Sequence, residues 1–76
     1  MTHRWLFQTC GTGIFSAIEF DWCFHCGALR VLYVPRKAVK VGRTMTYPLD
    51  ESAREVSYRV PGNKRYLKRE PPCRRP

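Results

Sequence analysis

Two cysteines spaced by two residues, Cys23 and Cys26, carry the strongest chemical signal in this sequence. Two thiolates in a tight turn can both reach one tetrahedral Zn²⁺ at about 2.3 Å. Gly27 follows directly and permits the positive φ that such a turn uses. Residues 23–27, called the knuckle below, therefore predict half of a zinc site, and two further ligands must come from elsewhere in the chain.

Four other side chains could complete that site. His25 lies between the two knuckle cysteines, so its side chain is expected to point away from a metal that they share. Cys73 follows two prolines in a stretch with no core to fill, so packing explains its thiol poorly. His3 and Cys10 remain alternatives for the fourth position. The sequence predicts Zn²⁺ held by Cys23, Cys26 and Cys73, with Cys10 or His3 as the fourth ligand.

Disulfides and redox catalysis are the other uses of four cysteines. Disulfides need an oxidising compartment, and the first residues lack the apolar stretch of an export signal. A redox C-x-x-C pair needs a βαβ scaffold, for which the sequence offers no pattern. No apolar run approaches the roughly 18–20 residues of a membrane span. These observations favour a metal-binding protein of the cytoplasm.

Charge is distributed unevenly along the 76 residues, whose net charge is +8. Residues 1–29 hold one base and two acids, whereas residues 30–76 hold 13 bases and four acids, a net charge of +9. This asymmetry favours a nucleic acid or an acidic protein surface as partner, although a solvated basic face would also explain it. The candidate partner-binding residues are Arg30, Arg36, Lys37, Lys40, Arg43, Arg59, Lys64, Arg65, Lys68 and Arg69.

Catalysis is not expected from this sequence. The chain is too short for a Rossmann or barrel enzyme. Gly11-Thr12-Gly13 lacks the third glycine and the following helix of a dinucleotide fingerprint, so it is interpreted as a turn. No nucleophile elbow occurs, and the six carboxylates show no paired spacing.

The elements that must position the cysteines are mostly strands. β-forming residues predict strands over 3–8, 15–24, 29–34 and 55–60, with a last short strand at 65–67. A turn is expected at 9–13, an edge strand or ribbon arm at 36–45, and a short helix at 50–55 with Asp50 as its N-cap. Three prolines predict an extended basic tail over 68–76.

These elements predict a small β-rich domain, a zinc-ribbon-like antiparallel sheet with little helix. A single domain is expected over residues 1–70, followed by a tail over 71–76. Because a chain of this length supplies only a small core, the tail is expected to be tied back to the metal through Cys73.

Four short patterns together resemble small zinc-ribbon-like proteins of bacteriophages. They are His3-x-Trp5, Cys23-x-x-Cys26-Gly27-x-x-Arg30, Tyr58-Arg59-x-Pro61-Gly62 and Pro71-Pro72-Cys73. The resemblance covers most of the chain in scattered pieces, and it implies that the histidine and these three cysteines form the metal set. Cys10 departs from that pattern, so it competes with His3 for the fourth position.

In size and charge the chain also resembles a small basic phage regulator that binds the host RNA polymerase. This resemblance implies a non-catalytic protein of the host cytoplasm that inhibits or modifies transcription, and we expect it to be a monomer. The alternative is a zinc ribbon that binds DNA or RNA directly through its basic surface.

Overall fold

The computed structural model describes residues 2–74 and contains six strands. Four of them form an antiparallel sheet in the order β1-β2-β3-β6, and the remaining two form a separate ribbon. The bounds are β1 Trp5–Thr12, β2 Ser16–Cys23, β3 Leu29–Pro35, β4 Val39–Val41, β5 Thr44–Thr46 and β6 Glu55–Arg59. The predicted small, β-rich, antiparallel fold with little helix is confirmed.

The first hairpin differs from the prediction at its turn. β1 continues through Thr12, because Gly11 pairs with Ile18 of β2 and its backbone stays in the extended region. The turn therefore comes later and is closed by the Gly13 amide, which donates to the Ser16 carbonyl at 2.8 Å. The prediction of a turn over 9–13 is wrong, since cross-strand pairing outweighs the local preference of Gly11 for turns. A register shift between Phe7 and Thr9 marks a β-bulge in β1.

The two smaller predicted elements are shorter than expected. The helix predicted over 50–55 is a 3₁₀ turn, Glu51–Ala53, and the Asp50 side chain caps it by accepting from the Ser52 amide at 3.2 Å. The strand predicted over 65–67 reduces to one bridge between Leu67 and Tyr58 of β6.

Strands β4 and β5 form the ribbon that was predicted over 36–45. Gly42 makes its tight turn at a φ of 62°, and a bridge between Arg36 and Leu49 closes the base of the ribbon. The Arg36 amide joins this base to the sheet by donating to the Phe15 carbonyl at 3.0 Å. The Arg36 guanidinium strengthens this junction by donating to the carbonyls of Gly13 and Tyr47 at 2.9 and 2.7 Å. Residues 36–49 are called the ribbon arm below.

The buried core is small and lies mostly at the knuckle end of the sheet. Among the described residues, only Cys23, Ala28, Val31 and Asp21 are buried. The radius of gyration is 15.5 Å, whereas a compact domain of this length has about 11 Å. Apolar burial alone therefore contributes little to this elongated chain, which makes a cross-link at the knuckle important. In residues 2–74 we find no helix with the length and apolar character needed to cross a membrane.

Candidate metal centre

The knuckle forms the tip of the β2–β3 hairpin. β2 ends at Cys23, and the Gly27 amide donates to the Cys23 carbonyl at 2.9 Å. The Cys23 amide in turn donates to the Ala28 carbonyl at 2.8 Å, which closes the hairpin. Gly27 has a φ of 75°, in the left-handed region that other residues rarely adopt. This backbone path brings the thiols of Cys23 and Cys26 into one group.

His3 reaches the knuckle because of the register of β1. Trp5 pairs with Cys23, and the Phe24 amide donates to the Arg4 carbonyl at 2.9 Å, so the chain before β1 passes beside the turn. The His3 Nε2 lies 2.6 Å from the Pro71 carbonyl oxygen. Because a carbonyl oxygen only accepts, Nε2 carries the proton and donates it. The other ring nitrogen, Nδ1, faces the Cys26 Sγ at 3.5 Å.

Cys73 comes from the extended C-terminal segment, and its Sγ lies 3.8 Å from the Cys23 Sγ. Two contacts to the N-terminal strand hold this segment in place. The first is the hydrogen bond from His3 to the Pro71 carbonyl, and the second runs from Trp5 Nε1 to the Glu70 carboxylate at 3.3 Å. The site therefore joins both ends of the described chain to the central hairpin.

Two of the six separations among the four candidate ligand atoms match the edges of a tetrahedral zinc site. The Nδ1 of His3 and the sulfurs of Cys23, Cys26 and Cys73 all lie within 4.8 Å of one another. Zn–S bonds of about 2.3 Å and Zn–N bonds of about 2.0 Å require S–S edges of about 3.8 Å and S–N edges of about 3.5 Å. The observed Cys23–Cys73 and Cys26–His3 separations are 3.8 and 3.5 Å. This group could bind a metal ion.

The thiols of Cys23 and Cys73 have opposite pKa shifts. Burial opposes ionisation of Cys23, but backbone amides of the turn and of Arg4 donate to its sulfur and lower its pKa to about 5. Burial, together with hydrogen bonds to Cys23 and Cys26, raises the pKa of Cys73 to about 11. The knuckle therefore favours the thiolate, which is the form that binds metal, at Cys23.

Stacked side chains support the His3 ring. The Trp5 ring stacks on the His3 ring with centroids 4.6 Å apart, and the Arg30 guanidinium lies 4.7 Å from the Trp5 centroid. Arg30 also donates to the buried Asp21 carboxylate at 2.9 and 3.1 Å. The sequence did not lead us to include Trp5 or Asp21 among the site residues. An acidic residue inside an otherwise apolar strand indicates a buried ion pair, and Asp21 is such a residue.

Cys10 and His25, the other candidate ligands, lie outside this group. Cys10 is exposed in β1 and pairs with Glu19 of β2, away from the knuckle end. The His25 ring makes an edge contact with the Phe24 ring at 5.8 Å between centroids. Neither residue belongs to the metal-ligand cluster found within residues 2–74.

The ten basic candidates differ in their surroundings. Arg30 and Arg36 make the contacts given above, and Arg59 donates to the Asn63 carbonyl at 2.9 Å with its guanidinium 5.9 Å from the Tyr66 centroid. Within residues 2–74 the remaining seven form no ion pair, since the one pair found there joins Arg30 to Asp21. These seven exposed residues are Lys37, Lys40 and Arg43 in the ribbon arm, and Lys64, Arg65, Lys68 and Arg69 after β6.

Several large apolar side chains are also exposed. Trp22 and Phe24 lie at the knuckle with centroids 6.2 Å apart and are 37% and 57% exposed. The Arg4 guanidinium lies 5.6 Å from the Phe24 centroid. Aromatic residues beside arginine are typical of protein–protein contact sites.

The chain was compared with known proteins at three levels. No protein family, no curated protein and no solved structure matches it. The geometry of the site and the surfaces around it therefore carry the functional argument.

Proposed function

We propose that His3, Cys23, Cys26 and Cys73 bind one Zn²⁺ that stabilises the fold. The observation that supports this most directly is that the four ligand atoms lie within 4.8 Å of one another and that two of their separations match the edges of a zinc tetrahedron. Protein side chains would fill all four positions, which is typical of structural sites, whereas catalytic zinc keeps one position open. The Pro71 carbonyl would act as the outer partner that orients the histidine.

Metal analysis and a thiol count on one sample test this site. We expect one zinc per chain and one rapidly reactive thiol, that of the exposed Cys10, with four reactive thiols after denaturation in chelator. The Cys10→Ser variant is the matched control and should keep the zinc while losing the rapid reaction. A protein without metal whose thiols are paired in disulfides would overturn the proposal.

For the function of the whole protein, we propose a non-catalytic regulator that binds bacterial RNA polymerase. The resemblance to phage regulators motivates the choice of polymerase. Exposed Trp22 and Phe24 with Arg4 beside them support a protein partner, because aromatic and arginine side chains dominate the binding energy of such interfaces. A phosphate backbone would leave this apolar surface uncovered.

Binding of the purified protein to bacterial RNA polymerase holoenzyme tests this function. Trp22→Ala and Phe24→Ala should each weaken binding by about 30-fold, which corresponds to about 2 kcal/mol for a hot-spot residue. Tyr47→Ala, which removes an exposed aromatic from the ribbon arm, is the control and should leave binding unchanged. Absence of binding by the zinc-loaded wild-type protein would contradict the polymerase proposal.

Direct binding to nucleic acid is a second candidate, supported by the ribbon arm. Residues 36–49 hold four basic residues and no acid. This candidate requires that log affinity for a duplex falls linearly with log salt, with a slope of about −0.9 for each phosphate contacted. Lys40→Ala and Arg43→Ala should each make that slope shallower by about 1, whereas a flat salt dependence in the wild-type protein would rule this candidate out.

A further inference from the structure

Apart from the bulge between Phe7 and Thr9, the outer edge of β1 lacks the features that normally protect a free edge strand. β1 pairs only with β2 among the described strands, so the backbone groups along its other side are unpaired. Its eight residues contain no charged residue and no proline. Natural proteins discourage pairing at such edges with lysines, prolines or very short strands, and β1 has none of these. Its residues from Phe7 onward are all exposed.

The opposite edge of the sheet is protected. β6 has only five residues and carries a charge at each end, Glu55 and Arg59. Leu67 also pairs with Tyr58 through two backbone hydrogen bonds of 2.8 and 2.6 Å. The sheet therefore offers pairing at β1 and blocks it at β6.

The exposed area of the chain leaves room for an interface. Its accessible surface is 6090 Å² at 9.0 kDa, whereas a compact monomer of that mass exposes about 4,900 Å². The excess of about 1,200 Å², part of which belongs to the ribbon arm and the tail, is larger than the roughly 800 Å² that each partner buries in a standard interface. Phe7, Ile14 and Phe15 of the β1–β2 hairpin are 62%, 80% and 78% exposed.

We propose that β1 pairs in antiparallel fashion with β1 of a second copy, so that the two sheets become one. β1 contains no charged residue, so the two copies of this strand do not repel each other. Residues 1–29 carry a net charge of only −1, so electrostatic repulsion between the N-terminal parts of the two copies is weak. A two-fold axis perpendicular to the sheet pairs residues whose side chains lie on the same face. The bulge leaves residues 9–12 as the regular segment of β1.

Centring the axis on Cys10 pairs residues 9–11 of the two copies with one another and sets Cys10 of one copy opposite Cys10 of the other. The same register brings Ile14 and Phe15 of each copy near residues 5–7 of the other, which covers the most exposed apolar side chains of the hairpin. This register also places Cys10, which lies outside the metal-ligand cluster, at the centre of the interface. This inference is independent of the polymerase and nucleic-acid proposals.

Sedimentation equilibrium of the zinc-loaded protein over a range of concentrations tests the dimer. We expect a reversible monomer–dimer equilibrium that strengthens with salt, because each copy carries a net charge of +8 that salt screens. Cys10→Lys should weaken dimerisation at least tenfold, since it places two like charges at the axis. Thr46→Lys in the ribbon arm adds the same charge away from β1 and should have no such effect.

Two further measurements separate loss of the dimer from loss of the fold. Zinc content and circular dichroism of Cys10→Lys should match those of the wild-type protein. Amide exchange in residues 9–12 should slow as the wild-type concentration rises, while exchange in 55–59 stays constant. A wild-type protein that remains monomeric, or a Cys10→Lys variant that dimerises equally well, would overturn the inference.

Discussion

His3 uses its two ring nitrogens for two different tasks. Nε2 donates to the Pro71 carbonyl at 2.6 Å, and this hydrogen bond fixes the tautomer whose Nδ1 is free to bind metal. The stacked Trp5 ring holds the orientation of the imidazole. One side chain therefore connects the knuckle, the first strand and the C-terminal segment.

Substituting the two histidines should have different effects on metal binding. His3→Ala removes a ligand and should lower zinc affinity by more than the roughly 10–100-fold typical of outer partners of a ligand. His25→Ala changes a residue of the same type at the knuckle and should leave zinc affinity unchanged. Competition with a chromophoric chelator measures both, and equal losses in the two variants would contradict the assignment of His3.

Zinc affinity should fall as the pH falls through the neutral range. Metal binding displaces the Cys73 proton, whose pKa is raised to about 11 by burial and by the neighbouring sulfurs. The pKa of Cys23 is about 5, so this thiol contributes to the pH dependence only in more acidic solution. Affinity should change by about tenfold per pH unit for each proton displaced. The same competition assay at pH 6.5 and 7.5 checks this, and Cys10→Ser should show the same slope as the wild-type protein.

At the scale of the elements, the β2–β3 hairpin sets the position of the metal centre. Its turn depends on Gly27, whose φ is 75°. A Cβ added to this residue would lie 3.4 Å from the Pro61 side chain. The turn thus combines a left-handed backbone with a close approach of the loop that follows β6.

Gly27→Ala should therefore destabilise the domain by roughly 1–2 kcal/mol, because a Cβ is unfavourable in the left-handed region. Gly13→Ala is the control, since its φ is not positive and its Cβ would meet the nearest atom at 3.8 Å. The control should change stability by less than about 0.5 kcal/mol. Urea unfolding of the zinc-loaded proteins measures both, and a Gly27 variant as stable as the control would contradict this account of the turn.

Local sequence patterns predicted the strands well where each residue's preference agreed with its pairing. β2, β3 and β6 lie within a residue or two of their predicted bounds. The turn predicted at 9–13 failed because Gly11 gains hydrogen-bonded pairing with Ile18, which no local pattern contains. The choice between His3 and Cys10 was open for the same reason, since it depends on which end of β1 lies beside Cys23.

On the scale of the whole molecule, the proposed metal centre joins the C-terminal segment to the hairpin and to the chain before β1, with which this segment shares few other contacts. The described core holds only four buried residues, and the molecule extends 56 Å along its longest axis. Strand pairing joins β1 to the hairpin, but burial of apolar surface is too limited to hold the C-terminal segment on the sheet.

Removing the metal should unfold the domain, because ligation energy is folding energy in a protein with so small a core. Excess chelator should abolish the near-ultraviolet circular dichroism of Trp5, which stacks on His3, in a cooperative transition. Added zinc should restore the signal. A cooperative fold that persists in chelator would show that the metal is dispensable for stability.

The separation of the ligands along the chain has a consequence for biosynthesis. His3, Cys23 and Cys26 leave the ribosome early, but Cys73 emerges about 50 residues later, which corresponds to roughly 3–10 seconds of translation. During that interval the nascent chain has only three of its four ligands. The proposed metal centre can therefore be completed only once Cys73 has emerged, so any chain that terminates before this residue lacks its fourth ligand.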